Sequence, residues 1–323
     1  MLADGGDLVH LAIQTGQHQC ELQDLLAVWR AAERLGFRSA WLMDHLVPVV
    51  APDTEPILEA WTTLAALAAG TDTLRVGVLV SANTFRPPAL LAKMAATVDR
   101  ISGGRLEMGL GAAWNAAEHE ANGIPFPATA ARLDALDEAC RVLRSLWTQP
   151  TTTFEGEHYR LQDAYCEPKP VQQPLPLMIG GRGERRTLRI TAEHADRWNG
   201  SGSLPMLQHS VRVLAGHCNA IGRDPTTIEL TARNDFFLAA DDAEAQRELE
   251  VVASFMRGRG AALSWDEVRE FVWIGGLAEV TDRLAGFADA GFHEAILALD
   301  PPYDERTIAM LETVAAEIMP ALS

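Results

Sequence analysis

The sequence has little cysteine, a deficit of positive charge and no long apolar run. Its four cysteines lie far apart in 323 residues and form no C-x-x-C spacing, so we expect reduced thiols and neither a disulfide framework nor a metal site. The formal net charge of −17 argues against a nucleic-acid partner, because neutralising phosphates requires clustered lysine and arginine. No apolar run reaches the roughly 18 residues that a membrane helix needs, so no membrane partner is expected.

The amino-terminal segment lacks the features of a signal peptide. M-L-A-D-G-G-D has no basic region followed by an apolar core, and a cytoplasmic location is therefore expected. The hydrophobic content of 48% is sufficient for a large buried core.

Short apolar segments alternate with amphipathic ones along the chain. Eight segments are predicted as strands: 9–14, 40–43, 74–80, 105–110, 177–180, 196–199, 228–238 and 295–299. Nine are predicted as helices: 22–35, 59–69, 88–101, 131–146, 185–193, 205–221, 242–256, 277–290 and 305–319. Buried strands that alternate with helices indicate an α/β protein with a parallel sheet. Eight such units favour a closed (β/α)8 TIM barrel over an open sheet, and no G-x-G-x-x-G follows the first strand.

Two segments interrupt this alternation. Residues 148–176 contain a predicted small hairpin over 152–161 and a proline-rich extended stretch that cannot be helical. Residues 257–275 form a second, weaker insertion. We interpret both as insertions in one barrel domain that spans residues 1–323.

The strand ends are where barrels of this kind bind ligands. The second strand ends at Asp44 and His45. An imidazole can transfer protons near neutral pH, and an adjacent carboxylate can orient it; a polar pair that opens a loop would give the same pattern. Strand four is followed by Trp114 and Asn115 and by an acidic, histidine-bearing segment. This fits an aromatic wall for a ring system and a structural anchor equally well.

The fifth strand runs into G-G-R-G-E-R-R at residues 180–186. Glycines remove side-chain bulk, so backbone N–H groups at a helix start can face an anion with arginines nearby. Because three glycines and three arginines meet at one strand end, the pattern favours phosphate binding over a flexible turn.

Several motifs resemble one family. They are A-W-L-M-D-H-L-V-P, the run T-V-D-R-I-S-G-G-R-L-E-M-G-L-G-A-A-W-N with E-H-E-A-N-G-I-P-F-P after it, and P-L-P-L-M-I-G-G-R-G-E-R-R. Together they resemble the luciferase-like monooxygenase family over residues 8 to about 223. The run M-D-H with E-P-I-L-E-A-W-T-T-L-A-A-L-A-A resembles the branch that uses the deazaflavin coenzyme F420 more than the FMN luciferases. The resemblance implies a barrel with the cofactor ring at the carboxyl ends of the strands.

The resemblance also implies roles for individual residues. His45 matches the family histidine beside the reactive carbon of the deazaflavin, and Asp44 matches its neighbour at the ring. Leu79 and Val80 match a non-prolyl cis peptide that backs the ring. The remaining residues expected to contact the cofactor or its phosphate are Ser81, Ala113, Trp114, Asn115, Gly180, Gly181, Arg185 and Arg186.

Three functions follow as expectations. The first is a coenzyme F420-dependent oxidoreductase that transfers a hydride to or from a small organic substrate, with His45 as acid or base. The alternatives are an FMN-dependent monooxygenase and a non-catalytic barrel that binds a flavin or a protein partner. A homodimer is expected. The resemblance also disfavours sugar-phosphate oxidation, because the family members with that activity have an acidic residue at the position of Trp114 and a lysine near Gly202 or Ser203, and this chain has neither.

Overall fold

The computed structural model describes residues 9–49, 52, 54–258 and 265–322. Its strands are β1 (His10–Thr15), β2 (Ser39–Leu42), β3 (Arg75–Ala82), β4 (Leu106–Gly111), β5 (Thr152–Glu155), β6 (Arg160–Ala164), β7 (Leu177–Gly180), β8 (Arg197–Gly200), β9 (Glu229–Leu238), β10 (Trp273–Gly275) and β11 (Glu294–Leu299). Its α-helices are α1 (Leu22–Leu35), α2 (Ala60–Ala69), α3 (Pro88–Ile101), α4 (Ala116–Ala121), α5 (Thr129–Thr148), α6 (Thr187–His194), α7 (Leu204–Ala220), α8 (Asp242–Gly258), α9 (Trp265–Glu270), α10 (Leu277–Asp289) and α11 (Glu305–Thr313).

The predicted barrel is confirmed. Parallel pairing runs from β1 through β2, β3, β4, β7, β8, β9 and β11, and β11 pairs with β1 to close the ring. The hairpin in the first insertion is confirmed as antiparallel β5 and β6. In the second insertion, α9 and β10 are described and β10 extends the sheet beside β9, while residues 259–264 lie outside the described residues. No helix in the described part of the chain is long and apolar enough to cross a membrane.

Along each strand, successive side chains point alternately into the barrel interior and toward the surrounding helices. Inside the barrel, Trp41 packs with Ala12, Met178 and Ile296. The neighbouring strand carries Gly77 beside this ring, where an added Cβ would lie 2.4 Å from the indole. The middle of the barrel is therefore a solid core, and any ligand must bind at one of its ends.

The amino end of the barrel is filled by a buried charge cluster. Arg197 forms ion pairs with Glu107 and Glu294 and contacts Glu229 at 3.0 Å. Arg197, Glu107 and Glu294 are each at most 3% exposed. Because buried charges persist only when they are paired, we assign this cluster a structural role.

Acid should weaken the fold through Glu294. Burial alone would raise the pKa of this carboxyl, but the charges of Arg197 and Arg38 and a hydrogen bond from Ser39 lower it overall. A group with a lowered folded pKa stabilises the protein above its unfolded value, and this contribution is lost as the pH falls through the folded value. The free energy of unfolding in urea should therefore decline below about pH 4.5, and less steeply in Glu294→Gln. Equal slopes for the two proteins would contradict this assignment.

Candidate active site

The carboxyl end of the barrel brings together two residues that are 73 positions apart in the chain. His45 follows β2, and Glu118 lies in α4 beyond β4. Nδ1 of His45 is 3.0 Å from Oε2 of Glu118, and the other carboxylate oxygen accepts the backbone N–H groups of Leu46 and Val47. Because Glu118 is buried, one carboxylate fixes both the imidazole and the loop that carries it.

This contact sets the orientation of His45. Burial would raise the pKa of Glu118, but the hydrogen bond and charge of His45 and the amides of Leu46 and Val47 lower it overall. An ionised carboxylate only accepts, so Nδ1 is the donor and Nε2 carries the lone pair of the neutral ring. Among the described residues, Nε2 of His45 has no hydrogen-bond partner. The imidazole can therefore exchange a proton with a ligand at the barrel mouth.

The carboxylate of Asp44, which was expected beside the cofactor ring, forms an ion pair with Arg86. It accepts two hydrogen bonds from Arg86, at 2.7 and 3.0 Å, and one from the backbone N–H of Ala82 at 2.8 Å. Burial raises the pKa of Asp44, and the guanidinium of Arg86 opposes that rise. Arg86 also reaches Glu59 at 2.6 Å. Asp44 therefore fastens the loop that carries His45 to β3, and its side chain is buried.

Val80 lies over a surface formed by glycines. The Leu79–Val80 peptide is cis, at the position that the resemblance implies, and the pairing register of β3 with β4 shifts there. A Cβ added to Gly111 or Gly180 would lie 2.6 or 2.9 Å from the Val80 side chain. The carbonyl oxygen of Leu79 accepts a hydrogen bond from Nε2 of Gln14 at 3.0 Å. The hydrogen bond from Gln14 and the packing of Val80 against the glycines therefore hold the backbone of this bulge in place.

The residues expected at a cofactor phosphate are only partly brought together. Gly181 is exposed and has φ +121°, but its N–H donates to the carbonyl of Asn199 at 3.0 Å. This N–H is therefore not available to an anion. Arg186 pairs with Asp134 of α5, so its guanidinium faces the outer helices. Arg185 is exposed.

Trp114 borders the mouth of the barrel beside His45. Its side chain is 49% exposed, and its ring centroid is 5.4 Å from that of His45. Ala113 before it has φ +60°, which turns the chain between β4 and α4. Such an aromatic face beside an imidazole can pack against a planar ligand.

Two other expected contact residues serve the structure around the site. Ser81 is buried and accepts a hydrogen bond from the indole of Trp61 at 3.2 Å. Asn115 caps α4 by accepting the backbone N–H of Glu118 at 3.3 Å. The cap has a functional consequence, because it holds the helix that presents Glu118 to His45.

Sequence reasoning missed the partner of His45, the support of Leu79 by Gln14, and the helix α4, which lies in the acidic, histidine-bearing segment after strand four. The pattern N-A-A-E at residues 115–118 was an available signal, since an asparagine followed three residues later by glutamate often begins a helix. No local pattern indicated the contact between Glu118 and His45.

Comparison with known proteins identifies the family of the chain. A family model described as luciferase-like monooxygenase matches residues 7–294. The chain belongs to this family. An uncharacterized protein of Mycobacterium tuberculosis is 30% identical over 213 residues, which are 61% of this chain and 74% of that protein.

Solved structures whose names describe different chemistry share the fold. An F420-dependent secondary alcohol dehydrogenase, solved in complex with an F420-acetone adduct, has a TM-score of 0.85 at 21% identity and covers 98% of this chain and 99% of its own. The monooxygenase RslO1 from Streptomyces bottropensis has a TM-score of 0.79 at 21% identity, with 98% and 100% covered. At these identities the likeness shows the fold alone.

If His45 transfers a proton, Glu118→Gln should lower the turnover of this luciferase-like protein at least about 100-fold, because the amide N–H would face Nδ1, make it the acceptor and move the ring proton to Nε2. The amide can still accept the N–H of Leu46, so the fold and the cofactor affinity should be retained. Turnover, far-ultraviolet circular dichroism and cofactor titration are the measurements. Full turnover in the variant would show that the carboxylate does not position His45.

Proposed function

We propose that this protein is a coenzyme F420-dependent oxidoreductase that transfers a hydride between the deazaflavin and a small organic substrate. The observation that carries the proposal is His45, which is fixed through Nδ1 by buried Glu118 while its Nε2 has no partner among the residues that the structure describes. This arrangement suits a group that must give or take one proton at a defined atom.

The residues at the mouth fit a bound isoalloxazine or deazaflavin ring. Val80 presents its side chain where glycines of β4 and β7 leave room for it, so a flat ligand can approach the bulge. Trp114 offers a partly exposed aromatic face beside His45. When bound, coenzyme F420 supplies the hydride acceptor or donor.

The chain's own residues contribute positioning and proton transfer. Nε2 of His45 would accept the proton of a substrate hydroxyl group in the oxidation direction and would donate a proton to a substrate carbonyl oxygen in the reduction direction. Glu118 stabilises the imidazolium form that exists while the ring carries both protons. The pair Asp44 and Arg86 keeps the loop in place. Trp114 borders the mouth beside the imidazole.

An FMN-dependent monooxygenase is the second candidate. It is favoured by the family description and by the likeness to a monooxygenase fold. Both cofactors carry a ring and a phosphate, so the arrangement around His45 suits either one.

Titration by tryptophan fluorescence tests the proposal. Coenzyme F420 should quench the fluorescence saturably and more tightly than FMN, and Trp114→Phe should remove most of the quenching because Trp114 is exposed at the mouth. Tighter binding of FMN would favour the second candidate. The absence of saturable quenching by both compounds, with no binding in calorimetry, would reject both.

A further inference from the structure

A chain of side-chain hydrogen bonds crosses the carboxyl end of the barrel. Nη1 of Arg233, in β9, is 2.8 Å from a carboxylate oxygen of Asp235, and its Nε donates to Oε1 of Gln14 in β1 at 2.7 Å. Nε2 of Gln14 in turn donates to the carbonyl oxygen of Leu79 at 3.0 Å. Two hydrogen bonds therefore connect a guanidinium on β9 with the backbone of the bulge in β3.

The sheet register places this chain of hydrogen bonds directly above the solid core of the barrel. Gln14 lies two residues after Ala12, which packs inside the barrel with Trp41, so Gln14 faces the interior as well. Between β1 and β9, the strand β11 contributes Ala298, which is paired with Gln14 on one side and with Asp235 on the other. The short side chain of Ala298 leaves room for the guanidinium to reach across β11.

Both hydrogen-bond partners fix the orientation of the Gln14 amide. A guanidinium can only donate hydrogen bonds, and a carbonyl oxygen can only accept them. If the amide were turned around, its oxygen would face the oxygen of Leu79 and its NH2 group would face Arg233. Because Gln14 is buried, water would not compensate for this mispairing. Arg233 therefore determines that the NH2 group of Gln14 points at the bulge.

Arg233 is itself held in place by charge. Asp235 lies two residues further along the same strand and so faces the same side. The two side chains are partly buried, which reduces the screening of their attraction by water. The hydrogen bond to Gln14 comes from a cationic donor, and such bonds are roughly twice as strong as neutral ones. The guanidinium is therefore a firm support for the amide.

We propose that Arg233 is a positioning residue for the cofactor, which acts through Gln14 on the bulge at Leu79 and Val80. The inference rests on the proposed function, in which a flat ring approaches this bulge. Without the guanidinium, the amide of Gln14 is free to turn, and the carbonyl oxygen of Leu79 loses its donor. The surface that receives the ring then becomes mobile, although no residue that faces the ring has been changed.

The experiment breaks the chain of hydrogen bonds at different points. Gln14→Leu removes both bonds, whereas the ionised carboxylate of Gln14→Glu still accepts from Arg233 but has no donor for Leu79. Arg233→Met removes the cation, and Arg233→Lys keeps the charge beside Asp235 without the planar fork that serves two partners. FMN and coenzyme F420 are titrated calorimetrically into each protein, and amide hydrogen exchange of residues 79–82 is measured without cofactor.

Gln14→Leu, Gln14→Glu and Arg233→Met should each bind the cofactor about 3- to 10-fold more weakly, the usual contribution of one hydrogen bond. Residues 79–82 should exchange faster in all three, and Arg233→Lys should lie between Arg233→Met and wild type. Arg233→Met should have no further effect in the Gln14→Leu background, because Arg233 acts through Gln14. The matched control is Arg141→Met, which removes an ion pair with Asp137 at 2.9 Å on the outer helix α5 and should behave as wild type.

An effect of Arg233→Met on affinity that persists at full size in the Gln14→Leu background would overturn the inference, since the guanidinium would then act by another route. Wild-type affinity or wild-type exchange in both Arg233→Met and Arg233→Lys would overturn it as well. If Arg233→Met does not fold, Arg233→Lys and Gln14→Glu decide the question. If wild type binds neither cofactor, the proposed function is rejected, and the hydrogen exchange alone decides whether Arg233 positions the bulge.

Discussion

Replacing His45 by alanine should lower turnover by about 10²–10⁴-fold, the usual contribution of a general acid or base. The affinity for the cofactor should change little, because the imidazole contacts Glu118 and the ring of Trp114 and does not support the glycine-lined surface under Val80. Turnover with a verified substrate and tryptophan quenching measure the two effects separately.

Two variants make this result specific. His45→Gln retains a hydrogen-bonding side chain but cannot take up a proton at neutral pH, so it should be as impaired as His45→Ala. His209→Gln changes an exposed histidine that contacts Glu184 at 3.0 Å, and it should keep full turnover. Wild-type turnover in His45→Ala would rule out proton transfer by this residue.

In contrast to His45→Ala, Gly181→Val should lower the affinity for the cofactor, by more than about tenfold. The φ of +121° at Gly181 is strained for any other residue, at a cost of about 1–3 kcal/mol. An added Cβ would also lie 3.3 Å from Cγ2 of Thr187, the first residue of α6. We therefore expect the segment from Gly181 to Thr187 to shift, and Arg182 with it, while the exposed position leaves the barrel folded.

The control for this change is Gly216→Ala in α7. A Cβ at Gly216 meets no atom within 4 Å, so the affinity should not change. Calorimetric titration with coenzyme F420 and FMN, together with thermal unfolding, checks both variants. If Gly181→Val binds both cofactors as tightly as wild type, the phosphate is bound elsewhere on the barrel. Combined with His45→Ala, this variant separates binding from chemistry.

Much of the fold was predictable because its signals are local. Apolar residues recur with a different period in strands such as Arg75–Ala82 than in helices such as Leu22–Leu35. That helix ends at Gly36, which adopts the left-handed conformation. The eight barrel strands lie within two residues of their predicted bounds. The short helix Ala116–Ala121 was missed, because six residues without a clear apolar face carry little periodic signal.

The candidate site was predicted in its location and less well in its contacts. His45 and Trp114 do lie at the mouth, but Ser81 faces Trp61 and Asn115 caps a helix. The side to which a residue points at the end of a strand depends on the local register. The shift in pairing between β3 and β4 could not be inferred from the sequence alone.

By itself, the sequence determined the order of the barrel strands and of the helices between them, the family, and the strand ends that carry His45 and Trp114. Each of these depends on periodicity or on a contiguous motif. Only the tertiary structure decided that Glu118 holds His45, that Arg86 pairs with Asp44, and that Arg186 pairs with Asp134. The physical reason is that pairing depends on distances across a closed ring, and those distances exist only after the ring has closed.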